Sequence, residues 1–112
     1  MRIISQDGTI DIPYDCFSLS VASGKYKDVE YGCIYCHNIS ARYGTKLAEY
    51  SSKKKALKAM EMLREHREEV AFLKTIINTE KGTQFVRSLS KTNFDKMTRN
   101  YFQFTKNDEV QV

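Results

Sequence analysis

No apolar run in this 112-residue chain approaches the roughly 18 residues that a membrane-spanning helix needs. The opening Met1-Arg2-Ile3-Ile4-Ser5-Gln6-Asp7-Gly8 lacks the apolar core of a secretory signal, so no membrane partner is expected and the cytoplasm is the expected compartment. Only three cysteines are present, Cys16, Cys33 and Cys36. They cannot all pair within one chain, which argues against a disulfide framework and for free thiols in a reducing compartment. Low-complexity tracts and internal repeats are missing, and 41% hydrophobic with 29% charged residues is an ordinary globular balance, which excludes wholesale disorder. Catalytic motifs are missing as well: there is no G-x-S-x-G, no P-loop and no His-Glu-x-x-His, and two histidines leave few choices for a general base. A non-enzymatic protein with no cofactor is therefore expected. Acidic excess is absent too, since 18 Lys and Arg outnumber 14 Asp and Glu for a net charge of +4. A protein that imitates the DNA backbone is excluded by that sign, while a mild basic bias suits an anionic partner.

The length allows one domain, residues 1–112, with a single modest core. From Ser51 to about Asn78, Ala56, Leu57, Ala59, Met60, Leu63, Val70, Leu73 and Ile77 recur mostly at three- and four-residue steps, the pattern of a helix with one buried face. Ser51 or Ser52 can cap its start. Arg64 to Glu69 interrupts the apolar stripe, His66 reading as a solvated residue, so one long helix and a helix broken at this point both fit; a strand over Val70 to Ile77 fits less well. Upstream, Arg2 to Ser5 and Thr9 to Ile12 flank Asp7-Gly8, which predicts a hairpin with a two-residue turn, its second arm ended by Pro13. Cys16, Phe17, Leu19 and Val21 predict a third strand, Ser23-Gly24-Lys25 a turn, Tyr31 to Ile39 a half-buried strand, and Gly44 a turn into Lys46 to Tyr50. Downstream, Thr79 or Thr83 caps a shorter helix carrying Phe85, Val86 and Leu89, with Gly82 as punctuation. Ser90 to Asn100 carries no clear pattern, Tyr101 to Phe104 closes as a strand, and residues 105–112 read as a flexible tail. The expected class is α+β: a small antiparallel β-meander with an N-terminal hairpin, packed on one long helix, with a second shorter helix and a C-terminal strand.

Two constellations carry possible chemistry. Cys33-Ile34-Tyr35-Cys36-His37 matches the C-x-x-C-H spacing of haem attachment, but covalent attachment occurs in exported chains, and two small thiols on a strand explain the pattern. Zinc held by Cys33, Cys36 and His37 with a distant Cys16 or His66 is a minority alternative, because residues three apart on a strand face opposite ways. The second constellation is basic: Lys53, Lys54, Lys55 and Lys58 at a helix N-terminus, preceded by Arg42 and Lys46 and interleaved with Tyr43 and Tyr50. Lysines at this end oppose the helix dipole at a cost of about 0.3–1 kcal/mol each. Free N–H groups there favour anions, so a phosphate, a nucleotide or an RNA backbone is a candidate ligand, with tyrosine stacking on a base; a solvated lysine-rich face is the plain alternative.

The opening octet with Asp11-Ile12-Pro13-Tyr14, the block Ala48-Glu49-Tyr50-Ser51-Ser52 leading to Lys55 through Arg64, and the ending Tyr101-Phe102-Gln103-Phe104 with Asp108-Glu109-Val110 resemble a group of small phage, prophage and mobile-element proteins of Gram-positive bacteria. The resembling segments span about a third of the chain and contain no catalytic motif; Cys33 to His37 and the region from Glu65 to Asn100 inherit nothing from them. The resemblance implies a non-enzymatic accessory protein in the bacterial host cell that binds a host protein or ribonucleoprotein, such as a defence nuclease, in the role of an anti-CRISPR inhibitor. The alternatives are a nucleic-acid or cyclic-nucleotide binder that acts alone, and a zinc-stabilised interaction module.

Overall fold

The computed structural model describes residues 1–38 and 44–111. Ile39, expected at the end of a strand, lies outside the described residues. The strands are β1 (Arg2–Ile4), β2 (Asp11–Pro13), β3 (Ser18–Tyr26), β4 (Val29–His37), β5 (Thr45–Tyr50) and β6 (Tyr101–Gln103); the helices are α1 (Lys53–Ile76), α2 (Glu80–Ser88) and α3 (Lys91–Thr98). The class is α+β, as the periodicities predict.

Helix α1 is unbroken over 24 residues. Ser52 caps it from extended backbone, its Oγ accepting from the Lys55 N–H at 3.1 Å. Ala56, Ala59, Leu63, His66, Val70 and Leu73 are buried at alternating three- and four-residue steps. His66 thus fills the gap that the charged run opened in the stripe, which removes the break, the strand over Val70 to Ile77, and the solvated reading of this histidine. Leu57 and Ile77, part of the stripe by sequence, lie on the outer side, 45% and 44% exposed.

β3, β4 and β5 form the antiparallel meander in that order. Gly32 lets α1 approach β4 closely: a Cβ there would lie 2.5 Å from the Ser52 carbonyl oxygen and 3.0 Å from the Ala56 Cβ. The turn expected at Ser23-Gly24-Lys25 is instead continuous strand, in which Gly24 pairs with Tyr31 and Lys25 with Glu30. The chain reverses at Lys27 and Asp28, with φ of 49° and 64°. A two-residue hairpin wants positive φ at both central positions. Aspartate tolerates that conformation, whereas lysine adopts it at a cost of roughly 1–2 kcal/mol, so the sequence does not advertise the turn.

The N-terminal hairpin exists, with Ile3 opposite Ile12, but it belongs to a second sheet, ordered β2-β1-β6. β6 runs parallel to β1, with Ile3 opposite Phe102. The hairpin is closed by residues 5–10 in place of a two-residue turn. Asp7 organises this loop: its carboxylate accepts from the Thr9 hydroxyl at 2.7 Å, the Thr9 N–H at 3.0 Å and the Ser5 hydroxyl at 2.7 Å. Gln6 then joins the sheets. Its N–H donates to the Leu47 carbonyl, its side-chain oxygen accepts from the Glu49 N–H, and its Nε2 donates to the carbonyls of Glu49 and Thr105.

Residues 105–111 are not a loose tail. Val110 is buried, the Tyr50 hydroxyl donates to the Thr105 carbonyl at 2.8 Å, and Asn107 accepts from the Ser51 N–H through Oδ1 and from Lys55 Nζ through its carbonyl. Thr79 caps α2, and Gly82 sits inside the first turn of that helix, buried against the Ile76 carbonyl. The patternless segment forms α3, capped by Ser90. Ile3, Ile34, Tyr50, Leu63 and Phe104 are the large, fully buried side chains of the shared core.

Two outcomes are expected. Leu63→Ala should cost on the order of 2–5 kcal/mol in urea unfolding, because a fully buried leucine lies between α1 and the sheets. The hydrogen bonds from Thr9 and Ser5 lower the Asp7 carboxyl from 3.8 to about 2. A lowered folded-state pKa contributes stability above the unfolded value and loses it as pH falls. The urea midpoint should therefore drop between about pH 4 and pH 2, by less in Asp7→Asn than in the parent.

Candidate partner-binding surface

The lysine cluster does not survive as one surface. Lys55 reaches the Asn107 carbonyl at 3.0 Å, Lys46 pairs with Glu49 at 3.8 Å, and Lys58 with Glu61 at 3.6 Å. Tyr50 is 2% exposed, so it is a core residue and not a stacking platform. Burial, together with the nearby Glu109 carboxylate and against the Thr105 hydrogen bond, pushes its hydroxyl up to about 12. Arg42 and Tyr43 lie outside the described residues. Lys53 and Lys54 remain exposed.

The helix N-terminus is also occupied from within. Ser52 Oγ takes the Lys55 N–H, Asn107 Oδ1 takes the Ser51 N–H, and the Glu30 carboxylate of β4 approaches the Lys53 N–H at 3.5 Å. Glu30 supplies the anion that the dipole prefers, which offsets the three lysines and removes part of the case for a free anion-binding terminus.

In exchange, the fold brings a second element to Lys53. The β3–β4 hairpin passes this point, and Ser23, Gly24, Lys25, Glu30 and Lys53 line one shallow cleft. Beyond it the hairpin tip presents Tyr26 and Val29, 69% and 67% exposed, the largest exposures among the large hydrophobic residues described. Lys27 Nζ sits 5.5 Å from the Tyr26 ring centroid, a cation over an aromatic face. Tyr31 lies across Gly24, where a Cβ would meet the phenol oxygen at 2.8 Å. Strand alternation separates two faces here: Lys25 pairs with Glu30 on the α1 side, where Lys53 lies, whereas Tyr26, Val29 and Tyr31 occupy the opposite face of the hairpin. Sequence reasoning missed the hairpin portion because Gly24 was read as a turn. Lys25-Tyr26-Lys27 becomes a signal once the reversal is put at Lys27-Asp28.

The metal candidates are not brought together. Cys36 belongs to the core face of β4 with Ile34, and Cys33 lies on the opposite face beside Glu49, its thiol donating to Oε1 at 3.8 Å. Burial, reinforced by Glu49, raises the Cys33 thiol, which disfavours the thiolate that a metal would need. His37 Nε2 is 2.7 Å from the Ser20 hydroxyl. Among the described residues no three His, Cys, Asp or Glu side chains group to hold an ion, and no helix is long and apolar enough to cross a membrane.

The chain matches no protein-family model, no curated protein and no solved structure.

The two kinds of lysine should separate in stability. Lys55→Ala is expected to cost about 1 kcal/mol through its lost bond to Asn107. Lys54→Ala should stay within about 0.5 kcal/mol of the parent in the same urea titration.

Proposed function

We propose that this protein is a non-enzymatic phage or mobile-element accessory protein that binds a host macromolecule with an acidic or phosphate-bearing surface, plausible targets being defence nucleases and their ribonucleoprotein complexes. The observation that supports this reading is the hairpin tip, where Tyr26 and Val29 are two-thirds exposed and Lys27 Nζ lies 5.5 Å from the Tyr26 ring. Exposed aromatics with cations around them are the usual composition of an energetic binding centre with a charged rim. The shape agrees: a radius of gyration of 16.3 Å exceeds the roughly 13 Å expected of a compact chain this long, so the elements extend outward. The mobile-element resemblance supplies the cellular setting and the inhibitory role.

A second reading, direct binding of RNA, DNA or a cyclic nucleotide, draws on the same tip, with Tyr26 and Tyr31 offering faces to bases. A mobility-shift titration with isolated RNA and DNA separates the two: binding at low salt that falls steeply between about 50 and about 200 mM supports this second reading, and no binding at low salt overturns it.

The test is capture from a Gram-positive host lysate with the parent and with the Lys25→Ala/Tyr26→Ala/Lys53→Ala variant, alongside phage restriction in cells expressing each. A defence protein or ribonucleoprotein should be retained by the parent and reduced at least about tenfold with the variant, a change of about 1.4 kcal/mol. Recovery of no such protein, with restriction unchanged, overturns the proposal.

A further inference from the structure

A different part of the molecule holds a built cleft. α1, α3 and β6 enclose about 420 Å³, within the size range of small-molecule sites. On α1, Glu65, His66 and Glu69 share one face at three- and four-residue steps and contribute two carboxylates and an imidazole. On the other side, Lys96 of α3 and Arg99, which follows it, contribute two cations. Among the described residues no ion pair joins the two sides. Phe102 and Met62 add apolar surface, and Phe102 lies 6.1 Å from the His66 ring, centroid to centroid.

Two of the lining residues also hold polar atoms without partners beneath the cleft surface. Glu69 Oε2 and Thr105 Oγ1 are both buried and make no hydrogen bond. Such atoms are uncommon in folded proteins because each forfeits its hydration. His66 Nε2 lies 2.9 Å from the Arg99 carbonyl, which can only accept, so this nitrogen carries a proton. The imidazole therefore fixes the backbone at the end of α3, and Arg99 itself is held over the Tyr101 ring at 5.3 Å. Arg99 is thus placed by the His66 and Tyr101 contacts, and among the described residues no carboxylate neutralises it.

We infer that this cleft binds a small zwitterion, a free α-amino acid with an apolar side chain, its ammonium group on Glu69 and Glu65, its carboxylate on Arg99 and Lys96, and its side chain against Phe102 and Met62. The two signs of charge require both ligand groups. A simple cation would leave Lys96 and Arg99 facing it, and a simple anion would meet the two glutamates.

Isothermal titration of the full chain with L-leucine, L-methionine and L-phenylalanine tests this. At least one should bind, with affinity falling tenfold or more when its ammonium is acetylated or its carboxylate amidated. Glu69→Gln and Lys96→Ala should each weaken the free amino acid at least tenfold. Lys96 is exposed on α3, so its replacement leaves the fold intact, and the thermal melt of each variant verifies this. Glu69→Gln should spare the residual binding of the acetylated ligand, and Lys96→Ala that of the amidated one. No binding of any of the three at millimolar concentration overturns the inference. Equal binding of the blocked ligands, or indifference to both substitutions, does the same.

Discussion

Gln6 connects the two sheets, through its backbone N–H to the Leu47 carbonyl and through its side-chain amide. Gln6 behaves toward β5 as an extra peptide unit, accepting from the Glu49 N–H and donating to the Glu49 carbonyl, while the same Nε2 reaches Thr105 in the segment after β6. The Thr105 carbonyl receives a second bond from the buried Tyr50 hydroxyl. The hairpin loop, the last strand of the meander and the C-terminal segment thereby meet at one point, and each satisfies polar groups that the others would leave exposed. The core beneath it contains Ile3, Leu47 and Phe104, one from each unit that this junction holds together.

What could be read from the sequence followed the strength of local pattern. Helix α1 with its Ser52 cap, the pairing of the N-terminal arms and the extended run of β4 are features that neighbouring residues signal by themselves. The rest depended on distant partners. His66 looked solvated because its neighbours in sequence are charged, yet the helix period turns it inward to the Arg99 carbonyl. The segment 105–111 reads as loose because its side chains are polar, yet the Asn107 side chain takes the Ser51 N–H, and the Thr105 and Asn107 carbonyls take Gln6 and Lys55. No propensity rule marks β6 as a parallel neighbour of β1, since the contact joins residues nearly the whole chain apart.

The candidate surface was half legible for a related reason. Three lysines at the start of a helix were an anomaly worth following, but the anomaly is resolved internally by Glu30. What the lysines mark is a corner of the molecule where the β3–β4 hairpin passes the helix, and the exposed aromatics of that hairpin lie on its other face. Tyr50, adjacent in sequence to the lysines, is a core residue, which shows how a basic and aromatic run along the chain can be split between surface and interior.

The parallel pairing of β1 with β6 has a consequence for the order in which the molecule assembles. β3, β4, β5 and α1 follow one another, and their contacts close short loops; β1 and β6 must wait until nearly the entire chain has been made. Contacts between such distant residues carry a larger closure entropy and form late. Until they do, β1 lacks one neighbour, and the Gln6 amide that covers β5 is tethered to an unfinished sheet. During synthesis the edge of β5 is thus covered by a loop whose own sheet is completed only when β6 pairs with β1.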